Sequence, residues 1–207
     1  MGSGGIVGNI PNIITLLRLF AVPLLVWLVL HGMLDWAFWV FVAAGVSDGL
    51  DGFIAKRYGL VTPLGAYLDP IADKALLVSA YVTLGHAGYI DTLLVILVVF
   101  RDVLIVGGTV MFHALDNPVE MKPISISKFN TLMQIVLVSV VLANRGIGLP
   151  DYGMLPTLSY LVGVTTVLSG LAYLGRWVFG VRVVPPEWSA TEKTDRLLRR
   201  KPPGEGR

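Results

Sequence analysis

The chain has no cysteine, which excludes disulfides, thiolate metal sites and a cysteine nucleophile. It is also short of charge. Only 14% of its 207 residues are charged, against about 25% in an ordinary soluble domain. Histidine is scarce too, with only His31, His86 and His113. No internal repeat is visible, and no strand-like alternation runs long enough for a β-barrel. What remains is apolar: 55% of residues are hydrophobic, and mean hydropathy is +0.73. These values imply a polytopic helical membrane protein, with length for one membrane domain. Net charge is only +2, so the placement of charges says more than their sum.

A spanning helix needs about 20 mostly apolar residues. Six segments qualify: Ile14–Leu30, Trp36–Ala55, Gly65–Leu84, Ile90–Phe112, Phe129–Ala143 and Leu155–Val178. The fifth reaches full length only if the polar stretch around Ser127 belongs to it. Gly, Pro, Asn and Asp punctuate the breaks, such as "HGMLD", "GHAGY" and "NRGIGLPDYG". Lys56, Arg57, Lys122, Lys128 and the basic tail fall on one side, and Arg145 alone on the other. The positive-inside rule therefore makes both termini cytoplasmic, in a bacterial inner membrane or its organellar equivalent. The expected fold is all-α, six transmembrane helices around a polar cavity open to the cytoplasmic side. Residues 1–5 ("MGSGG") read as a cloning remnant, residues 6–182 as the membrane domain, and residues 183–207 as a flexible basic tail near anionic headgroups.

Against this background stands "VSDGLDGFIAKRYGLVTPLGAYLDPIADK", with Asp48, Asp51, Asp69 and Asp73. Carboxylates inside a membrane are rare and expensive. Asp48 and Asp51 are three apart, and Asp69 and Asp73 four apart, so each pair shares a helix face. Gly52, Ala55 and Gly65 lie beside them and let a ligand or backbone approach. Singly, each aspartate has an ordinary explanation. Asp69 before Pro70 has the look of a helix N-cap and first-turn proline, the better reading of that local signal. Asp48 and Asp51 could mark a polar helix end, and Asp73 could pair with Lys74 or a nearby arginine. Those explanations do not account for four aspartates and three small residues in phase. Converging carboxylates repel unless cations intervene, and an all-oxygen donor set favours Mg²⁺, Mn²⁺ or Ca²⁺ over zinc. Two such ions suit displacement at phosphorus.

The spacing Asp48-x-x-Asp51-Gly52-x-x-Ala55-Lys56, then Gly65, Asp69 and Asp73, resembles the signature of the CDP-alcohol phosphatidyltransferases. Lys56 stands where that family usually has arginine, which keeps the charge and loses the planar two-pronged donor; Arg57 is its neighbour. The resemblance runs from "NIPNIITLLR" to the sixth helix. It implies an integral-membrane transferase that moves a phosphatidyl group from CDP-diacylglycerol to an alcohol acceptor and releases CMP. It further implies two divalent cations, Mg²⁺ or Mn²⁺. Asp48, Asp51 and Asp69 would hold one, and Asp48, Asp69 and Asp73 the other. Asp73 would also serve as general base, and Gly52, Ala55, Lys56 and Gly65 would line the CDP site. A homodimer is also implied, and nucleic acid is not an expected partner.

The acceptor must be read elsewhere. "FRDVLIVGG", with Arg101 and Asp102, and "MKPISISKFNT", with Lys122, Ser127, Lys128, Asn130 and Thr131, look like the matching parts of eukaryotic-type cardiolipin synthases. That branch takes phosphatidylglycerol; its sister, the phosphatidylglycerophosphate synthases, takes glycerol 3-phosphate. Arg101 is a candidate for the acceptor phosphate, or pairs with a carboxylate such as Asp102. Lys128 and Lys122 are further candidates, or ordinary cytoplasmic-side charges. Arg18, on one helical face with Asn12 and Thr15, either pairs within the protein or reaches a lipid phosphate. A carboxylate-based ion transporter is the alternative of another class. Its sites usually lie near the midplane on broken or repeated helices, which this pattern lacks.

Overall fold

The computed structural model describes residues 10–58, 63–114 and 125–179, with side chains described within 14–48, 71–108 and 125–175. Among them are six α-helices: α1 (Ile10–Leu30), α2 (Leu34–Tyr58), α3 (Pro63–His86), α4 (Thr92–Ala114), α5 (Ser125–Gly146) and α6 (Met154–Phe179). Five of them contain one of the six apolar segments whole and extend it by a few residues; α4 begins at Thr92, two residues after the start of its segment, because Asp91 caps it. The polar start around Ser127 does belong to α5. Among the described residues, two helical stretches, Ser125–Gly146 and Met154–Gly175, are long and apolar enough to cross a membrane.

Local chemistry sets the described helix ends. Gly32 takes a left-handed φ of 72°, and Met33 N–H bonds back to the Leu28 carbonyl at 2.9 Å, closing α1. Gly88 repeats the device at the end of α3, with φ 77° and Tyr89 N–H bonded to the Leu84 carbonyl at 2.9 Å. Asp91 caps α4 by accepting from Leu93 N–H at 2.8 Å. Asp151 accepts from Leu155 N–H at 3.1 Å in the first turn of α6.

The Asp69–Pro70 step differs from its local cap reading. α3 begins at Pro63, so the aspartate lies well inside the helix. Pro63 is the residue that holds the first-turn position proline favours.

The helices close into a ring. α1 packs against α2 and α3, α2 against α5, α5 against α6, α6 against α4, and α4 against α3. α3 and α5 also meet across the middle, where Tyr81 donates its hydroxyl to the Gln134 carbonyl at 3.3 Å.

Burial is inverted relative to a water-soluble bundle. Leu17, Phe20, Trp36, Trp39, Phe100 and Val103 are exposed on the outside. Arg18, Arg101, Asp102, Asn130, Gln134 and Ser169 are buried inside. Water would penalise that arrangement by roughly 25 cal/mol for each Å² of exposed apolar surface, whereas lipid does not. The architecture is consistent with a helical membrane protein.

The interior is itself divided. One half is apolar: Leu25, Leu28, Phe41, Leu84, Val98, Leu137, Leu142 and Val162 form one cluster. The other half, toward the start of α3 and the start of α5, holds most of the buried polar groups. The apolar half holds the helices together, which leaves the polar half to position charge.

Candidate active site

Three helices deliver the first group of charges. α1 lies against both α2 and α3, and its Arg18 points between them. Arg18 Nη1 lies 2.7 Å from Asp48 Oδ1 on α2 and 2.5 Å from Asp73 Oδ1 on α3. The two oxygens therefore converge on one nitrogen, no farther apart than those two contacts laid end to end. The side chain of Arg18 is 1% exposed, while those of Asp48 and Asp73 are 46% and 43% exposed. The arginine sits behind the carboxylates, and the carboxylates face outward.

The structure thus brings Asp48 and Asp73 together on Arg18. Asp51, Gly52, Ala55, Lys56 and Arg57 lie on α2, and Gly65 and Asp69 on α3, but their side chains fall outside the described residues. Lys122 falls outside them altogether. Among the described residues, no group of three or more His, Cys, Asp or Glu side chains converges. Asp48 and Asp73 suit a divalent cation all the same. They are hard oxygen donors from different helices, aimed at one point where a positive group already sits.

A second group of charges begins one residue on. Lys74 Nζ donates to Asp102 Oδ2 at 2.6 Å, and Arg101 Nη1 donates to Asp102 Oδ1 at 2.7 Å. Arg101 also donates from Nη2 and Nε to Ser169 Oγ on α6, at 2.8 and 3.2 Å. From Nη2 it reaches Ser127 Oγ on α5. Of the two readings of Arg101, pairing with Asp102 is the one this geometry contains. The buried cation is held by groups from α4, α5 and α6. Arg18 likewise pairs within the protein. Lys128 is exposed in the first turn of α5, open to an anion.

A third polar cluster joins Asn130 of α5 to hydroxyls of α6. Asn130 Oδ1 accepts from Thr165 and Thr166 hydroxyls at 2.7 and 3.0 Å. One turn on, Gln134 is fully buried with no hydrogen-bond partner for its side-chain amide. The amides at 130 and 134 and the hydroxyls at 165, 166 and 169, all in apolar helices, are the signals the sequence offers for it.

Residues 8–181 match the family model described as CDP-alcohol phosphatidyltransferase. The chain belongs to that family. Its relatives carry two kinds of name. It is 33% identical over 183 residues to the chloroplastic CDP-diacylglycerol–glycerol-3-phosphate 3-phosphatidyltransferase 1 of Oryza sativa, covering 80% of this chain and 56% of that protein. It is 33% identical over 181 residues to the cardiolipin synthase (CMP-forming) of Homo sapiens, covering 80% of this chain and 60% of that protein. A probable phosphatidylglycerophosphate synthase of Mycobacterium tuberculosis is 30% identical over 182 residues, covering 82% of each. The chain thus spans little more than half the length of the rice and human proteins. Identity favours neither branch.

Proposed function

We propose that this chain is a metal-dependent phosphatidyltransferase. It moves the phosphatidyl group of CDP-diacylglycerol to phosphatidylglycerol, giving cardiolipin and CMP. The observation that carries the reaction is the convergence of Asp48 and Asp73 from separate helices on one cationic point. Family membership supports the donor. The "RDV" and "KPISISKFNT" stretches support phosphatidylglycerol as acceptor.

Asp48, Asp51, Asp69 and Asp73 would hold two divalent cations, Mg²⁺ or Mn²⁺. Such ions supply positive charge to the diphosphate oxygens and to the CMP leaving group. Asp73 takes the proton of the acceptor hydroxyl. The acceptor oxygen then bonds to the phosphorus that carries the diacylglycerol, the bond from that phosphorus to the bridging oxygen breaks, and the bridging oxygen leaves with CMP. Gly52, Ala55, Lys56 and Gly65 line the CDP site, with backbone clearance from the small residues. Lys128, Arg57 and Lys122 meet the acceptor phosphate. Arg101 acts behind them, holding α4, α5 and α6 in place around the acceptor. The site opens to the cytoplasmic side of a six-span bundle, and the protein works as a homodimer, as the family resemblance implies.

Glycerol 3-phosphate is the competing acceptor, favoured by the names of the rice and mycobacterial relatives. An acceptor screen separates the two. Purified protein is given CDP-diacylglycerol, Mg²⁺ or Mn²⁺, and either acceptor, and the lipid products are resolved by mass spectrometry. Cardiolipin formed from phosphatidylglycerol is the expected product. Product formed with glycerol 3-phosphate alone reassigns the acceptor and leaves the chemistry in place.

A further inference from the structure

We propose that Arg18 is a built-in counter-ion for the metal site. It holds the carboxylates of α2 and α3 together when no metal is bound, and it yields them when metal arrives. The inference rests on the metal reading above and adds a role for a residue outside the aspartate motif.

Three observations carry it. First, a single nitrogen, Arg18 Nη1, serves both Asp48 Oδ1 at 2.7 Å and Asp73 Oδ1 at 2.5 Å. One positive group thus occupies the point at which a bridging ion would take the same two oxygens. Second, the layering runs one way. Arg18 is buried behind the carboxylates, and the carboxylates are half-exposed, so an ion from outside meets them first. Third, Arg18 comes from α1, the helix that packs on both α2 and α3. Its contact therefore sets the spacing of the two helices that carry the ligands.

Two carboxylates this close repel without a cation between them. An arginine stays charged at any relevant pH, so the contact does not release itself by losing a proton. Only a competing cation releases it. The device keeps the site assembled while empty, at the cost of some metal affinity.

The test uses the full chain in lipid nanodiscs, stripped with EDTA, as wild type, R18Q, R18K and D48N. Bound Mn²⁺ is counted by electron paramagnetic resonance, and Tm is followed by tryptophan fluorescence. R18Q is expected to bind Mn²⁺ about tenfold more tightly than wild type, since its competitor is gone. Stripped R18Q is expected to melt about 5 °C below stripped wild type, and saturating Mn²⁺ is expected to restore it. Equal or weaker Mn²⁺ binding in R18Q overturns the inference, as does a Tm loss that Mn²⁺ leaves in place. If R18Q does not fold, R18K decides. Its shorter point charge bridges less well, so its Mn²⁺ affinity should rise by a smaller factor, and an unchanged or lower affinity counts against the role. Mn²⁺ binding that D48N abolishes and R18Q leaves unchanged removes the Arg18 role alone. A wild type that binds no Mn²⁺ removes the metal reading with it.

Discussion

Asp73 and Lys74 are neighbours in sequence and face different work. Asp73 joins Arg18 and Asp48, while Lys74 joins Asp102 and Arg101. One turn of α3 therefore carries the proposed base on one side and a support for α4 on the other. D73N should fold, and its CMP release should fall by about 10² to 10⁴, the usual worth of a general base. D102A should act differently. It leaves the buried Arg101 and the part-buried Lys74 without their shared carboxylate, a loss of about 3–5 kcal/mol. A melt in detergent should show a clear drop in Tm, with D102N less affected than D102A. An unchanged Tm in D102A would mean the ion pair contributes no net stability.

The aspartates were legible at this scale because a charge in a greasy chain needs a reason, and their spacing supplied one. Arg18 was legible as a candidate, but its choice between pairing and lipid contact depended on which helix packs beside α1. Thr165, Thr166 and Ser169 gave little warning. Thr165 also bonds the Leu161 carbonyl of its own helix at 2.8 Å. Hydroxyl residues that can bond their own backbone are cheap in an apolar helix, so their presence carries little information.

Among the elements, helix ends written in Gly, Asp and Asn were readable within a few residues, because αL glycines and Asp caps act locally. The Asp69–Pro70 step misled for the same reason: a local cap signal was overruled by a helix that starts at Pro63. Glycine packing was not legible. Gly107 and Gly163 stand out in apolar helices, yet a Cβ at Gly107 meets nothing within 4 Å, and one at Gly163 meets only Leu94 Cδ1 at 3.7 Å. Among the described glycines, the close approach to backbone is at Gly146. A Cβ there would lie 2.5 Å from the Leu34 carbonyl carbon and oxygen, where the end of α5 abuts the start of α2. G146A should cost about 1–3 kcal/mol by forcing backbone apart. G107A should be neutral or gain up to about 1 kcal/mol in helix propensity. Paired thermal melts check both, and equal effects would contradict the close approach.

At the scale of the whole molecule, the ring of six helices puts apolar side chains outside and charge inside. Composition announced that inversion. It could not say which helices touch, because neighbours in the ring are not always neighbours in sequence: α2 meets α5, and α4 meets α6. Near the α3–α5 contact, the buried Gln134 keeps a side-chain amide without a hydrogen-bond partner. An unpaired buried amide costs about 1–3 kcal/mol. Q134M keeps the volume and removes the orphaned groups, so it should raise Tm by a few degrees.

CMP release tests most directly the proposed metal-dependent site that Asp48 and Asp73 form for phosphatidyl transfer. Purified protein in nanodiscs with CDP-diacylglycerol and phosphatidylglycerol should release CMP with Mg²⁺ or Mn²⁺. Release should stop with EDTA, resume when metal is returned, and be nearly lost in both D48N and D73N. CMP release that persists in EDTA, or at full rate in D73N, would contradict the account.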